Sequence, residues 1–267
     1  MPRPFAALEA RRAQLQAEFG EPVTLDSLSA AWSIFQRRRG HRHSTDDLLT
    51  AWYALEKSPP CQTLLDLGTG IGTVGLLVLS AMPGDARLTC IEAQEVSFRL
   101  LLENLWANEV AGRVDALHGD LRGAALGARF PLVTGSPPYF DVSAGIVPAD
   151  PQKAHARFEL RGGVLDYARA AREALAPGGL FVFCFPWAQE ARALSSARSE
   201  GFSVIARRAV VPREGLAPLF SLLACRQGDH PELEEPPFVV RRADGTHTRE
   251  MGEVRARFGW PRCPTTS

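Results

Sequence analysis

Between Leu64 and Gly72 the chain runs Leu64-Leu65-Asp66-Leu67-Gly68-Thr69-Gly70-Ile71-Gly72, an acid followed by glycines at alternate positions. Glycine lacks a Cβ and tolerates positive φ, so a ligand can approach the backbone of such a turn closely. Taken alone, the segment is also consistent with a tight turn between a strand and a helix. Glu92 narrows the choice, because it ends the next apolar run and stands beside the glycine turn in a doubly wound sheet. There its carboxylate can accept hydrogen bonds from both hydroxyls of a ribose, which suits any adenosine-containing ligand. A dinucleotide is disfavoured: an acid sits two positions ahead of the first glycine, and no second nucleotide-binding half follows. Asp120, in His118-Gly119-Asp120-Leu121, suits an adenine amine as acceptor and equally suits a turn or a cap.

The segment Thr134-Gly135-Ser136-Pro137-Pro138-Tyr139-Phe140 follows the fourth apolar run, at the carboxyl edge where open α/β sheets bind ligands. Two consecutive prolines stiffen the backbone and remove two N–H donors, leaving carbonyl oxygens to face a pocket. Elsewhere a Pro-Pro-Tyr is a rigid loop or a partner motif. Its place directly after a strand makes it a wall of the ligand site.

These residues need a scaffold, and the middle of the chain supplies one by alternating short apolar runs with helical segments. That alternation predicts an α/β fold with a mostly parallel sheet covered by helices on both faces. Candidate strands are Thr63 to Asp66, Arg87 to Glu92, Val114 to His118, Leu132 to Gly135, Gly179 to Phe185, Phe202 to Arg207 and Pro218 to Cys225, seven in all. The last two have a short link and suit antiparallel pairing. Helices are expected over Thr73 to Ser80, Glu95 to Glu109, Val164 to Leu175 and Ala188 to Glu200, the third stopped by Pro177-Gly178-Gly179. Upstream, Ser44-Thr45-Asp46 is a cap for a helix from Asp47 to Leu55, and residues before about Arg37 form a separate amphipathic segment. The expected division is an N-terminal helical extension over residues 1–43 and one catalytic domain over residues 44–267.

A length of 267 residues fits one large α/β domain with extensions, and 45% hydrophobic with 22% charged residues excludes disordered and fibrous classes. The start of the chain lacks a signal-peptide apolar run and no stretch is long enough to span a bilayer, so a cytoplasmic location is expected, with no membrane partner. Cys61, Cys90, Cys184, Cys225 and Cys263 show no CxxC pairing and read as reduced thiols, with no metal site. Formal net charge is zero, so any argument for a nucleic-acid partner is local. The local candidate is Arg37-Arg38-Arg39-Gly40-His41-Arg42-His43, either a set of phosphate contacts or a solvated turn. Oligomeric state is not indicated.

In the order glycine turn, Glu92, Asp120 and Ser136-Pro137-Pro138-Tyr139, the chain resembles the Rossmann-like amino-methyltransferases that carry an [Asn/Asp/Ser]-Pro-Pro-[Tyr/Phe/Trp] motif. Three flanking segments, Thr45 to Trp52, Pro151 to Phe158 and Phe238 to Arg242, extend the resemblance to the tRNA1(Val) adenine-N6 methyltransferase family, from roughly Trp32 to the end. The resemblance implies S-adenosylmethionine as cofactor and tRNA as substrate, methylated on the exocyclic amine of the adenosine just 3′ of the anticodon. It implies Thr45, Asp66, Gly68, Gly70 and Gly72 in the cofactor site, with Glu92, Asp120 and Leu121. Ser136, Pro137 and Tyr139 fall to catalysis, and Pro138, Phe140 and Arg157 to substrate binding. The family usually has Asn where this chain has Ser136.

An exocyclic amine is a poor nucleophile because its lone pair is delocalised into the ring. Acceptors that bind both N–H groups turn that lone pair toward the methyl group, and the Ser136 hydroxyl and Pro137 carbonyl are the candidates. Tyr139 is a candidate for stacking on an unpaired base. No general base is indicated. An amide nitrogen presents the same paired N–H groups, so protein glutamine-N5 methylation is the alternative, beside a cofactor-binding protein without turnover. DNA cytosine-N4 methylation is chemically possible, but no region resembles a target-recognition domain.

Overall fold

The computed structural model describes residues 2–124, 126–143 and 145–261. Cys263, named above among the thiols, lies outside them. The chain begins with α1 (Phe5–Phe19) and a hairpin, β1 (Val23–Ser27) and β2 (Ser33–Arg37), before α2 (Thr45–Lys57). The core alternates β3 (Thr63–Leu67), α3 (Thr73–Ser80), β4 (Arg87–Glu92), α4 (Glu95–Ala107), β5 (Val114–His118) and β6 (Phe130–Gly135). It continues with α5 (Pro151–Arg157), α6 (Val164–Ala174), β7 (Leu175–Pro186), α7 (Glu190–Ser199), β8 (Phe202–Val211), β9 (Phe220–Gln227), β10 (Glu234–Val239) and α8 (Arg249–Arg257).

The main sheet has the order β10-β8-β9-β7-β6-β3-β4-β5. The expected α/β architecture and mostly parallel pairing hold, and β8 and β9 pair antiparallel as their short link suggested. The strand count is corrected from seven to eight, because β10 adds parallel to β8. Its sequence, Glu234-Glu235-Pro236-Pro237-Phe238-Val239, hid it: proline cannot donate to a ladder and is confined to edges and irregularities. Here it lies on the outermost strand, where the register shifts between Glu235 and Phe238.

Alternate residues of the central strands face opposite halves of the core. On β7, Leu180, Val182 and Cys184 pack toward α2 and α3, while Phe181, Phe183 and Phe185 pack with the residues of α6 and α7. Such near-continuous apolar runs are what a strand buried on both faces requires. The third core helix ends at Ala174, earlier than expected, and β7 absorbs Pro177-Gly178-Gly179. The residue before a proline is pushed out of the helical region, which accounts for Ala176 being extended.

The N-terminal extension is a helix followed by a hairpin, not helical throughout. In β1 and β2, Val23, Ile34 and Phe35 are buried, sharing the core that contains Leu100, Leu101 and Leu105 of α4. The fully buried Asn104 of α4 serves β2 in place of another strand, accepting the Phe35 N–H at 2.7 Å. Its Nδ2 donates to the Ile71 carbonyl at 2.9 Å, tying the hairpin to the glycine turn.

Candidate active site

Strand order reverses direction at β3, whose neighbours β4 and β6 lie on opposite sides, and a crevice opens beyond the carboxyl ends of these strands. The crevice is a solvent-open cleft at the place where open α/β sheets bind their ligands. It contains Asp66, Gly68, Gly70, Glu92, Asp120 and Leu121 of the expected cofactor residues, and Ser136 and Pro138 of the expected motif. Thr45, Gly72, Pro137, Tyr139, Phe140 and Arg157 are not in its wall.

The glycine turn is held from both sides. Glu92 is 8% exposed; its Oε2 accepts the Gly70 N–H at 2.8 Å and its Oε1 accepts the Gln94 N–H at 2.6 Å. Burial pushes this carboxyl up, opposed by those backbone donors and by Arg161. Each carboxylate oxygen keeps a further lone pair for a ligand hydroxyl. Gly70 has φ +61° and nothing within 4 Å of where a Cβ would sit, so a side chain there would project into open cleft. Gly68 answers to a different constraint: a Cβ would stand 1.8 Å from the Tyr167 hydroxyl, and φ is +56°. Gly72 is likewise a packing glycine, with Leu101 and Leu76 against its missing Cβ.

Asp66 joins the two motifs. Its carboxylate is 1% exposed and accepts from the Thr69 hydroxyl at 2.5 Å, the Gly75 N–H at 3.0 Å and the Thr134 hydroxyl at 2.7 Å. Burial raises its pKa and those three donors oppose the rise. Because Thr134 ends β6 just before Ser136, this one carboxylate fixes the glycine turn relative to the proline pair. Asp120 is partly exposed and its carboxylate is engaged by the Arg122 guanidinium, at 3.0 and 2.7 Å, which holds its pKa down.

Ser136 lies on the cleft with its hydroxyl 3.6 Å from the Cys184 sulfur. Among the described residues, nothing donates to the carbonyls of Ser136, Pro137 or Pro138. Tyr139 is turned away: its hydroxyl donates to Asp46 at 3.0 Å, lies 3.3 Å from the Cys184 sulfur, and its ring meets Phe185 edge-on at 5.7 Å. Burial raises the tyrosine pKa well above its ordinary value, and burial likewise pushes the Cys184 thiol up to about 12. Both therefore stay neutral. The Tyr139 and Phe140 N–H groups bond to the Arg157 carbonyl, and the Arg157 guanidinium lies 5.9 Å from the Phe140 ring, so these two substrate candidates meet beside the cleft.

Sequence reasoning missed several cleft residues. His41 and His43 come from the segment leading into α2, Asp47 from the first turn of α2, Gln152 and His155 from α5, and Tyr167 from α6. Gln152 is 1% exposed, donates to Ser97 at 3.2 Å and accepts from Arg37 at 3.2 Å. The start of α5 was readable from Asp150-Pro151, an N-cap followed by a proline in the first turn; Tyr167 offered no signal beyond an apolar helix face. In the arginine cluster, Arg37 pairs with Glu21 and Asp150, and Arg42 with Asp26 at 3.1 Å. Arg38 and Arg39 are exposed and carry no ion pair among the described residues.

The cleft fits S-adenosylmethionine: an acid and an open glycine for the adenosine half, and buried carboxylates for a cationic amino-acid half. No metal-binding group of His, Cys, Asp or Glu occurs among the described residues, and no helix there is long and apolar enough to cross a membrane.

Residues 47–150 match the methyltransferase small domain family. The tRNA1(Val) (adenine(37)-N6)-methyltransferase of Aeromonas hydrophila is 28% identical over 213 residues, covering 79% of this chain and 86% of that protein. The protein of the same name from Actinobacillus pleuropneumoniae serotype 7 is 24% identical over 195 residues, covering 73% and 81%. In structure, the chain is similar to a predicted O-methyltransferase from Agrobacterium tumefaciens, with a TM-score of 0.64 at 18% identity, covering 80% of this chain and 97% of the other. The family resemblance and the Rossmann-like methyltransferase fold expected from the sequence are both borne out.

Proposed function

We infer that this chain is an S-adenosylmethionine-dependent methyltransferase of the tRNA1(Val) (adenine(37)-N6)-methyltransferase family, acting on the exocyclic N6 amine of an adenosine in tRNA. The observation that carries this reading is that Ser136 opens onto the same cleft as the Glu92–Gly70 clamp, with Asp66 bolting the two motifs together. When bound, the cofactor supplies an electrophilic methyl group.

The chain's own residues do the rest. Glu92 holds the ribose hydroxyls and the Gly70 backbone permits close approach. Asp120 and Leu121 flank the adenine, and Arg122 turns aside from Asp120 or shares its oxygens. The Ser136 hydroxyl and the Pro137 carbonyl accept the two N–H groups of the target amine and aim its lone pair along the line of transfer. Ser reaches less far than Asn and can also donate, so the amine must approach this wall more closely than in relatives with Asn. Tyr139 acts from behind the wall, bracing the proline pair through Asp46. Pro138, Phe140 and Arg157 form the substrate side, and the proton lost by the amine passes to water in the open cleft.

Arg38 and Arg39, with Lys153, supply phosphate contacts for the tRNA, while Arg37 and Arg42 serve the fold. Two domains are proposed only in the sense of a cofactor-binding body from residue 44 onward and a helix–hairpin extension packed on α4. The test is incubation with methyl-labelled cofactor and, separately, unmodified tRNA, short DNA and total protein. Label in tRNA supports the reading; label in protein glutamine, or in none of them, overturns it.

A further inference from the structure

The cleft has a charge that the adenosine half does not explain. Asp47, in the first turn of α2, is 7% exposed, and its Oδ2 accepts the Ser44 N–H at 2.9 Å. Two carboxylates, Asp46 on its own helix and Asp66 on β3, act on it as like charges. His43 stands 4.0 Å away, its Nδ1 buried and without a hydrogen-bond partner among the described residues. Among the described residues, the one Lys or Arg in the cleft wall is Arg161, whose guanidinium bonds to the Ala93 carbonyl next to Glu92.

A buried carboxylate among like charges is costly unless a cation arrives to pair with it. Topology says which cation. In the order β5-β4-β3-β6, Glu92 ends β4 and Asp120 follows β5, so the adenosine lies on that side of the glycine turn. The amino-acid end of the cofactor must then extend across β3 toward β6, the side on which α2 packs against β6 and β7.

We propose that Asp47 is the counter-ion for the ammonium group of the cofactor's amino-acid end, with the His43 imidazole completing its surroundings. The assignment rests on the cofactor reading above. Burial, with Asp46 and Asp66, raises the Asp47 pKa, and burial lowers that of His43. An arriving ammonium stabilises the ionised carboxylate, so binding below the ligand-free Asp47 pKa releases a proton. Protonation of His43 as pH falls repels the same ammonium. Both effects make affinity rise with pH; Ser44 and Thr73, the uncharged neighbours of Asp47, and His155 across the cleft do not reverse that direction.

Calorimetry with two probes tests this. S-adenosylhomocysteine has the ammonium; 5′-methylthioadenosine has the same adenosine and thioether without the amino acid. Asp47→Asn keeps an acceptor for the Ser44 N–H and removes the charge. The expected result is affinity for S-adenosylhomocysteine weakened at least about tenfold, the factor that corresponds to roughly 1.4 kcal/mol. Affinity for 5′-methylthioadenosine is expected to stay unchanged, and proton release, read in buffers of different ionisation enthalpy, to disappear. Unchanged S-adenosylhomocysteine affinity, or equal loss for both probes, overturns the assignment. Wild-type protein that binds neither probe overturns the cofactor reading itself, and the assignment with it.

Discussion

Replacing Glu92 by glutamine is the sharpest perturbation of the cofactor site, because the structure separates what is lost from what is kept. Glu92 receives one backbone N–H on each oxygen, from Gly70 and Gln94. Glutamine keeps the size but has one carbonyl oxygen, so one of the two N–H groups meets an amide donor and the charge facing the ribose is gone. A hydrogen bond to a charged group contributes about 1.5 to 3 kcal/mol. Loss of one such bond, with the other weakened to a neutral one, predicts roughly ten- to a hundred-fold lower affinity. Because the ribose is common to all adenosine ligands, S-adenosylmethionine, S-adenosylhomocysteine and 5′-methylthioadenosine should lose affinity together, unlike the selective loss expected for Asp47→Asn. Calorimetry on the purified variant, with its thermal midpoint measured beside wild type, is the assay. Affinity within about twofold of wild type for all three ligands refutes the assignment of Glu92 to the ribose.

Ser136→Ala should lower turnover by roughly ten- to a hundred-fold under conditions where methyl transfer limits the rate, with cofactor affinity unchanged, because the lost acceptor belongs to the target amine; full turnover removes the hydroxyl from the chemistry. Tyr139→Phe deletes only the hydroxyl that bonds Asp46 and should lower kcat and the thermal midpoint together, with KM for substrate nearly constant; a selective rise in KM, with kcat and the thermal midpoint unchanged, contradicts the bracing role. Changing Arg38 and Arg39 to glutamine should flatten the salt dependence of tRNA binding, with a change in slope of up to about two, read from affinities across a salt series; an identical slope returns both to a solvated turn. Asp47 has a raised folded pKa, so the stability tied to its protonated form is full below its unfolded value and is lost as pH rises through the folded value. The thermal midpoint of ligand-free Asp47→Asn should therefore gain on wild type as pH rises from about 4 to 8, and a difference independent of pH contradicts the buried ionisable state.

The sheet and the two motifs were readable because each rests on a local rule: alternation of apolar runs, a glycine turn after a strand, a proline pair at a strand end. Ser136, Glu92 and Gly70 were found that way. The hairpin formed by β1 and β2 was not, since its edge is completed by Asn104 of α4 and by Asn108, which caps that helix, some seventy residues away. Distance in sequence also hid the work of Asp66, whose partner Thr134 lies on another strand, and of Tyr167, which fills the space left by Gly68 and Gly135. Tyr139 shows the opposite failure. An aromatic after a proline pair reads as a stacking platform, yet its hydroxyl finds Asp46 and its ring finds Phe185. The arginine cluster read as one feature and the fold divided it, because Arg37 and Arg42 each pair with a carboxylate and Arg38 and Arg39 form no ion pair among the described residues.

The central claim is N6 methylation of adenosine in tRNA, and nucleoside analysis tests it directly. Unmodified tRNA incubated with the protein and S-adenosylmethionine, then digested to nucleosides and resolved by mass spectrometry, should contain N6-methyladenosine, formed more slowly with Ser136→Ala and retained with Ser136→Asn. Methyl groups found only on another nucleoside, or tRNA left unmethylated while protein glutamine gains the methyl group, would contradict the account.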